Sequence, residues 1–139
     1  MDTLIDKMET NQEKVLKKVA LFCTGIFFVV SGARHFIMPE FFMIMMPKYL
    51  PVPLELIFIS GFFEMLGGVG LLIPSTRVIA AWGLMALLLA VLPANIYIWT
   101  HNIQLPDNFK PSWYLMLRIP FQFLLIAWTY MFAKNPKSY

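Results

Sequence analysis

Cysteine occurs once in this 139-residue sequence, as Cys23, so neither an intramolecular disulfide nor a Cys-x-x-Cys couple exists in it. Thiol–disulfide exchange is thereby removed as its chemistry. Histidine occurs twice, as His35 and His101, too few for the three or four ligands of a usual transition-metal site, and no metal is expected. Charge is scarce as well. Only 14% of residues are Asp, Glu, Lys or Arg, against roughly a quarter in an ordinary soluble domain. The net charge of +3 is scattered, with no basic stripe interleaved with surface aromatics, which argues against nucleic acid as a partner. A chain that is 59% hydrophobic cannot cover a soluble surface with so few charges. The lipid bilayer is its natural solvent, and its length suits one domain, residues 1–139.

What is abundant is long apolar runs. Four stretches approach or reach the length of about 20 residues that crosses hydrocarbon, over about 19–36, 54–73, 78–99 and 113–133. Turn chemistry separates them: "MPKYLPVP", "IPSTR" and "THNIQLPDNFKPS". The sequence therefore predicts an all-α, polytopic four-helix bundle running antiparallel, up-down-up-down. Before the first span, "TNQE" at Thr10–Glu13 has the capping-box pattern and places a helix start there. A cleaved signal peptide ending in "VVSGA" is the competing reading, but the leading region mixes four acidic residues with four lysines, unlike a short basic one. Gly25 and Gly32 fall seven apart on one face, as close helix packing would need.

Seven basic residues (Lys7, Lys14, Lys17, Lys18, Arg77, Lys134 and Lys137) collect on one side of these spans, against Arg34, Lys48 and Lys110 on the other. The positive-inside rule then puts both termini in the cytoplasm. The segment "FIMPEFFMIMMPKYLPVP" is too apolar for a solvated loop and too proline-broken for a span. Its expected place is flat on the outer interface, with Tyr49 at headgroup level and its Phe and Met side chains among the acyl chains. Its methionines read as adaptable packing rather than as a copper(I) site.

Polar residues inside the spans are the informative positions, because each is costly unless paired or hydrated. Along their helices Glu64 lies roughly 15 Å in, Arg118 about 9 Å and Gln122 about 15 Å, with Asn95 about one turn from the same end. Arg34 and His35 close the first helix there. Arg118 and Gln122 are four apart and share a face, as do Ser60, Glu64, Gly67 and Gly68. Pro93 and Pro120 free the Leu89 and Met116 carbonyls to accept from Asn95, Gln122 or water. A kinked, partly hydrated pocket opening outward is expected, with Glu64 paired to Arg118. The bland alternative is that these groups only glue the helices together.

The ordered set "SGARHFIMPEFF", "MPKYLPVP", "ISGFFEMLGGVGLLIPSTRVIAAWGL", "AVLPANIYIW" and "LRIPFQFLLIAW", from Ser31 to Trp128, resembles the DoxX-like family of small four-helix membrane proteins. The resemblance implies a left-handed bundle in a bacterial inner membrane. It also implies His35, Glu64, Asn95, Arg118 and Gln122 as the family-like residues. That family is named for a subunit associated with thiosulfate:quinone oxidoreductase and quinol oxidase systems, and distant relatives resemble a receptor chaperone. No electron carrier is evident in this chain.

Three functions follow as expectations. The first is a pocket for a quinone or lipid, as an accessory of a membrane redox system. Glu64, Arg118, Gln122, Asn95, His35 and Ser60 would be its polar anchors, and Phe62, Phe63, Tyr97, Phe121 and Trp128 its walls. The second is an assembly factor that holds the helices of other membrane proteins, with its Met-rich segment as the contact surface; a homo-oligomer is a separate expectation for its partners. The third is an enzyme or small transporter with Glu64 as proton carrier. No intrinsic cofactor is expected.

Overall fold

A computed structural model describes residues 1–103 and 112–139; most of the third expected connection, with Lys110, lies outside them. The chain is helical: α1 Asp2–Ile37, α2 Pro39–Met45, α3 Pro53–Leu72, α4 Arg77–Thr100, α5 Ser112–Met116 and α6 Arg118–Lys134, closed by a 3-10 turn at Pro136–Ser138. Four stretches are long and apolar enough to cross a membrane: Thr10–Ile37, Pro53–Leu72, Arg77–Thr100 and Trp113–Lys134. They fit a multi-pass membrane protein. Large apolar side chains such as Phe22, Ile59, Phe62, Ile79 and Leu124 are exposed around them, the composition of a surface solvated by lipid.

Local chemistry fixes the ends of the helices. Pro39 and Pro53 start α2 and α3, where the missing N–H has no intrahelical acceptor to lose. The tight α3–α4 connection is held by the residues that follow α3. Thr76 Oγ1 donates to the Gly70 carbonyl at 2.9 Å, and Arg77 Nε donates to the Leu71 carbonyl at 3.0 Å. These bonds satisfy carbonyls that the end of a helix leaves open. Arg77 is buried and also donates through Nη1 to the Pro136 and Tyr139 carbonyls.

α1 packs along α3, α3 along α4, and α4 along α6. Small residues set the first of these distances. A methyl group on Gly32 would stand 2.5 Å from the Gly61 carbonyl oxygen, and one on Gly68 would stand 2.7 Å from that of Gly25. α1 and α6 meet through side chains, with Phe27 edge-on to Phe121 and Trp128 Nε1 donating to Thr24 Oγ1 at 2.9 Å. The main apolar core joins Leu21, Phe28, Leu71, Leu84 and Phe132, and a second cluster joins Phe41, Met45, Ile98 and Leu115.

Three expectations change. The helix does not start at Thr10. α1 continues back to Asp2, and the Thr10 hydroxyl donates to the Lys7 carbonyl of the preceding turn, so the capping box is unused within an uninterrupted helix. The segment after α1 does not turn all of its Phe and Met side chains outward to lipid. Pro39 nucleates α2, which turns Phe41 and Met45 into the protein and leaves Met43 and Tyr49 exposed. The last span is interrupted at Leu117, so Pro120 falls in the first turn of α6 rather than inside a continuous helix, where its lack of an N–H costs little.

Candidate polar cavity among the helices

A cavity of about 300 Å³ lies between the C-terminal part of α1, the first half of α3, the second half of α4 and the start of α6, with α2 beside it. Glu64, Arg118, Gln122, Asn95, His35 and Ser60 all line it. Helix geometry explains the gathering. His35 is in the last turn of α1, Ser60 and Glu64 are one turn apart on α3, and Arg118 and Gln122 are one turn apart on α6.

The polar groups divide into two sets. In the first, Arg118 Nε donates to Asn95 Oδ1 at 3.2 Å, Asn95 Nδ2 donates to Gln122 Oε1 at 2.7 Å, and Gln122 Nε2 donates to the Leu88 carbonyl. A guanidinium can only donate and a backbone carbonyl can only accept, so the two amides between them have one consistent orientation. The Leu89 and Met116 carbonyls expected as acceptors are not the ones used: Gln122 donates instead to Leu88, one residue before the carbonyl that Pro93 frees. Arg118 Nη1 also approaches Met45 Sδ of α2 at 3.8 Å.

In the second set, His35 Nδ1 lies 3.0 Å from both the Ile57 carbonyl and Ser60 Oγ, and the Ser60 hydroxyl donates to the same carbonyl at 2.9 Å. Because the carbonyl only accepts, this network assigns a proton to Nδ1. The other ring nitrogen, Nε2, stands 3.4 Å from Glu64 Oε2. That contact is attractive when one proton lies between the two atoms, on either side, and then the pair as a whole is neutral. Phe42 of α2 covers the His35 ring at 4.0 Å between centroids.

The expected Glu64–Arg118 ion pair is therefore replaced. His35 reaches Glu64 across the close α1–α3 contact, whereas Arg118, arriving on α6, is drawn onto Asn95 of α4. The expected aromatic walls also change. Of the five, Phe121 lines the cavity, while Phe62 and Phe63 point outward from α3. Tyr97 stacks on His101, and Trp128 is engaged with Thr24. Phe27, Phe28, Phe41 and Phe42 take their place.

Sequence reasoning passed over Ser31 and Tyr114, which also line the cavity. Ser31 is one turn before His35 and Tyr114 one turn before Arg118, so the same four-residue spacing that linked Arg118 to Gln122 would have found both. Arg77, counted from sequence only among the basic residues on one side of the spans, is buried on three carbonyls. Among the described residues no three His, Cys, Asp or Glu side chains gather as a metal would need. What the cavity offers is hydrogen-bond donors and one acid–base pair inside an apolar enclosure.

The family model of a domain of unknown function, DUF8561, matches residues 24–133. That stretch contains every cavity residue named above. No curated protein and no solved structure matches the chain.

Proposed function

The chain belongs to the DUF8561 family, and we propose that this member holds a small lipophilic ligand with a polar head in the cavity, as an accessory subunit of a membrane redox system. One observation carries the reading: polar side chains from α1, α3, α4 and α6 line a single enclosure of about 300 Å³ whose remaining walls are apolar and aromatic. Such an enclosure suits a ligand that is mostly hydrocarbon and needs a few directed hydrogen bonds. A quinone answers that description, since its ring carbonyls accept from donors such as those of Arg118 and its tail is apolar. The resemblance to the DoxX-like family supports the redox association. In this reading the four spans form an antiparallel up-down-up-down bundle in the bacterial inner membrane, with both termini cytoplasmic and the cavity toward the outer side.

The test is direct. Purified protein is extracted with organic solvent for mass spectrometry of bound lipids, and its melting temperature is measured with and without added quinone. Co-purification of a lipid-soluble ligand, with a melting temperature that rises with quinone concentration, supports the reading. Empty protein whose melting is unchanged overturns it.

The His35–Glu64 contact favours a second reading, a proton-coupled transporter in which this pair carries the proton. It requires that Glu64→Gln abolish activity in cells; a fully active variant removes it. The assembly-factor reading is weakened by α2, whose Phe41 and Met45 are committed inward.

A further inference from the structure

The charges of the cavity do not balance. Arg118 brings a permanent positive charge into a span and is largely enclosed. Its hydrogen-bond partners include the neutral Asn95 amide and the Met45 thioether. No carboxylate stands within ion-pair distance of it among the described residues, because Glu64 is engaged with His35. Glu64 lines the same cavity, but its one close ionisable neighbour among the described residues is His35, and it stands outside ion-pair distance of the guanidinium. Arg34 lines the same cavity and adds a second cation at its edge. Every fully buried side-chain nitrogen or oxygen among the described residues has a partner. Arg118 itself lines the cavity, so its guanidinium borders that space. A guanidinium held in a low-dielectric interior without an anion is costly.

We infer that the missing counter-ion is the ligand itself: the cavity binds an acidic amphiphile, a carboxylate or phosphate head on a hydrocarbon tail, with the head on Arg118. The guanidinium presents paired donors that match either oxyanion, and charge-assisted bonds of this kind are about twice as strong as neutral ones. The tail has a route out. Phe27 and Val30 of α1 and Phe121 of α6 line the cavity and are also exposed on the outer surface, where these two helices meet through side chains. A chain longer than the enclosure can pass there into the bilayer.

This inference rests on the ligand-binding reading above and narrows it from a neutral to an acidic head. The full chain is reconstituted in phosphatidylcholine nanodiscs, and binding of radiolabelled oleate, methyl oleate, oleyl phosphate and a quinone is measured against empty nanodiscs. Oleate or oleyl phosphate binds saturably and at least about tenfold more tightly than methyl oleate, a difference of about 1.4 kcal/mol. Whichever acid binds more tightly identifies the head group. Arg118→Gln reduces the acid to the level of the ester, whereas Arg118→Lys keeps part of the preference. Equal binding of acid and ester by the unmodified protein overturns the inference even where the variants fail to fold. Saturable binding of the quinone alone overturns it but preserves the ligand-binding reading. No saturable binding of any of the four overturns both.

Discussion

Arg118, Asn95, Gln122 and the Leu88 carbonyl form a chain of donors with one direction, so its members are not interchangeable. Gln122→Leu keeps the volume of the side chain but leaves the Asn95 amide and the Leu88 carbonyl without this partner. The loss is about 1–2 kcal/mol, the scale of a buried polar group stripped of its bond and of interhelical bonds in membranes. Asn95→Leu with Gln122→Leu together cost less than the sum of the two, because the second change removes the group that the first orphaned. Unfolding in mixed detergent micelles reads both effects, and strict additivity would show that the amides do not act as a unit. The His35–Glu64 pair behaves differently. The amide introduced by Glu64→Gln donates to Nε2 much as a protonated carboxyl does, so this variant shifts stability by no more than about 0.5 kcal/mol. His35→Ala removes the ring from Glu64, Ser60 and Phe42 at once and costs at least about 2 kcal/mol. If Glu64→Gln proved the more damaging of the two, the pair would be an ion pair that needs the full carboxylate charge.

At the scale of helices, the α1–α3 contact is what brings His35 to Glu64, and glycines make it. A methyl at Gly32 meets the Gly61 carbonyl at 2.5 Å and the Met65 backbone nitrogen at 2.9 Å, and backbone cannot swing aside as a side chain can. Gly32→Ala therefore forces the helices apart and destabilises by about 2 kcal/mol or more, through strain and lost packing. Gly83→Ala on α4 has open space around it and gains up to about 1 kcal/mol from helix propensity. Thermal melts of the two variants should move in opposite directions; a shared direction would place the close contact elsewhere. The same helices show what the sequence made legible. The spans about 54–73 and 78–99 lie within one residue of α3 and α4, because apolar length and proline are local signals. Depth along each helix brought the polar residues to one level, since rise per residue is fixed. Rotation about each axis is set by neighbours, and there the reading failed. Glu64 and Arg118 reach a similar level but turn to different partners. Phe62 and Phe63 adjoin Glu64 in sequence, yet at about 100° per residue they leave its face. Helical spacing alone already assigned that face to Ser60, Gly67 and Gly68. Even there, Gly67 meets Leu84 of α4 while Gly68 meets α1.

For the whole molecule the decisive asymmetry is between its two ends. α1 has 36 residues, about 54 Å at 1.5 Å per residue, against roughly 30 Å of hydrocarbon. Its N-terminal turns therefore extend beyond the bilayer, with Lys7, Lys14 and Lys18 exposed. Gly25 of α1 meets Gly68 and Leu72 of α3, so the lysines preceding Gly25 and the Arg77 cap that follows α3 belong to one end. Arg77 binds the Tyr139 carbonyl, which brings the stretch after Lys134 to that end as well. The cavity is at the other end, with Arg34 and Arg118. Basic residues near span ends favour the cytoplasmic side by about 1 kcal/mol for each one near an anionic surface, so several together outweigh Arg34 and Lys48 opposite. In the proposed orientation a fluorescent protein fused after Tyr139 lights up, and alkaline phosphatase inserted after Lys48 is active because that connection faces outward. Changing Lys7, Lys14 and Lys18 together to Gln removes much of the bias without touching the buried Arg77, and a fraction of molecules should then insert inverted. Alkaline phosphatase activity from a fusion after Tyr139 in the unmodified chain would reverse the orientation. The cavity would then have to draw its ligand from the cytoplasmic leaflet, where acidic lipids are concentrated, rather than from the outer one.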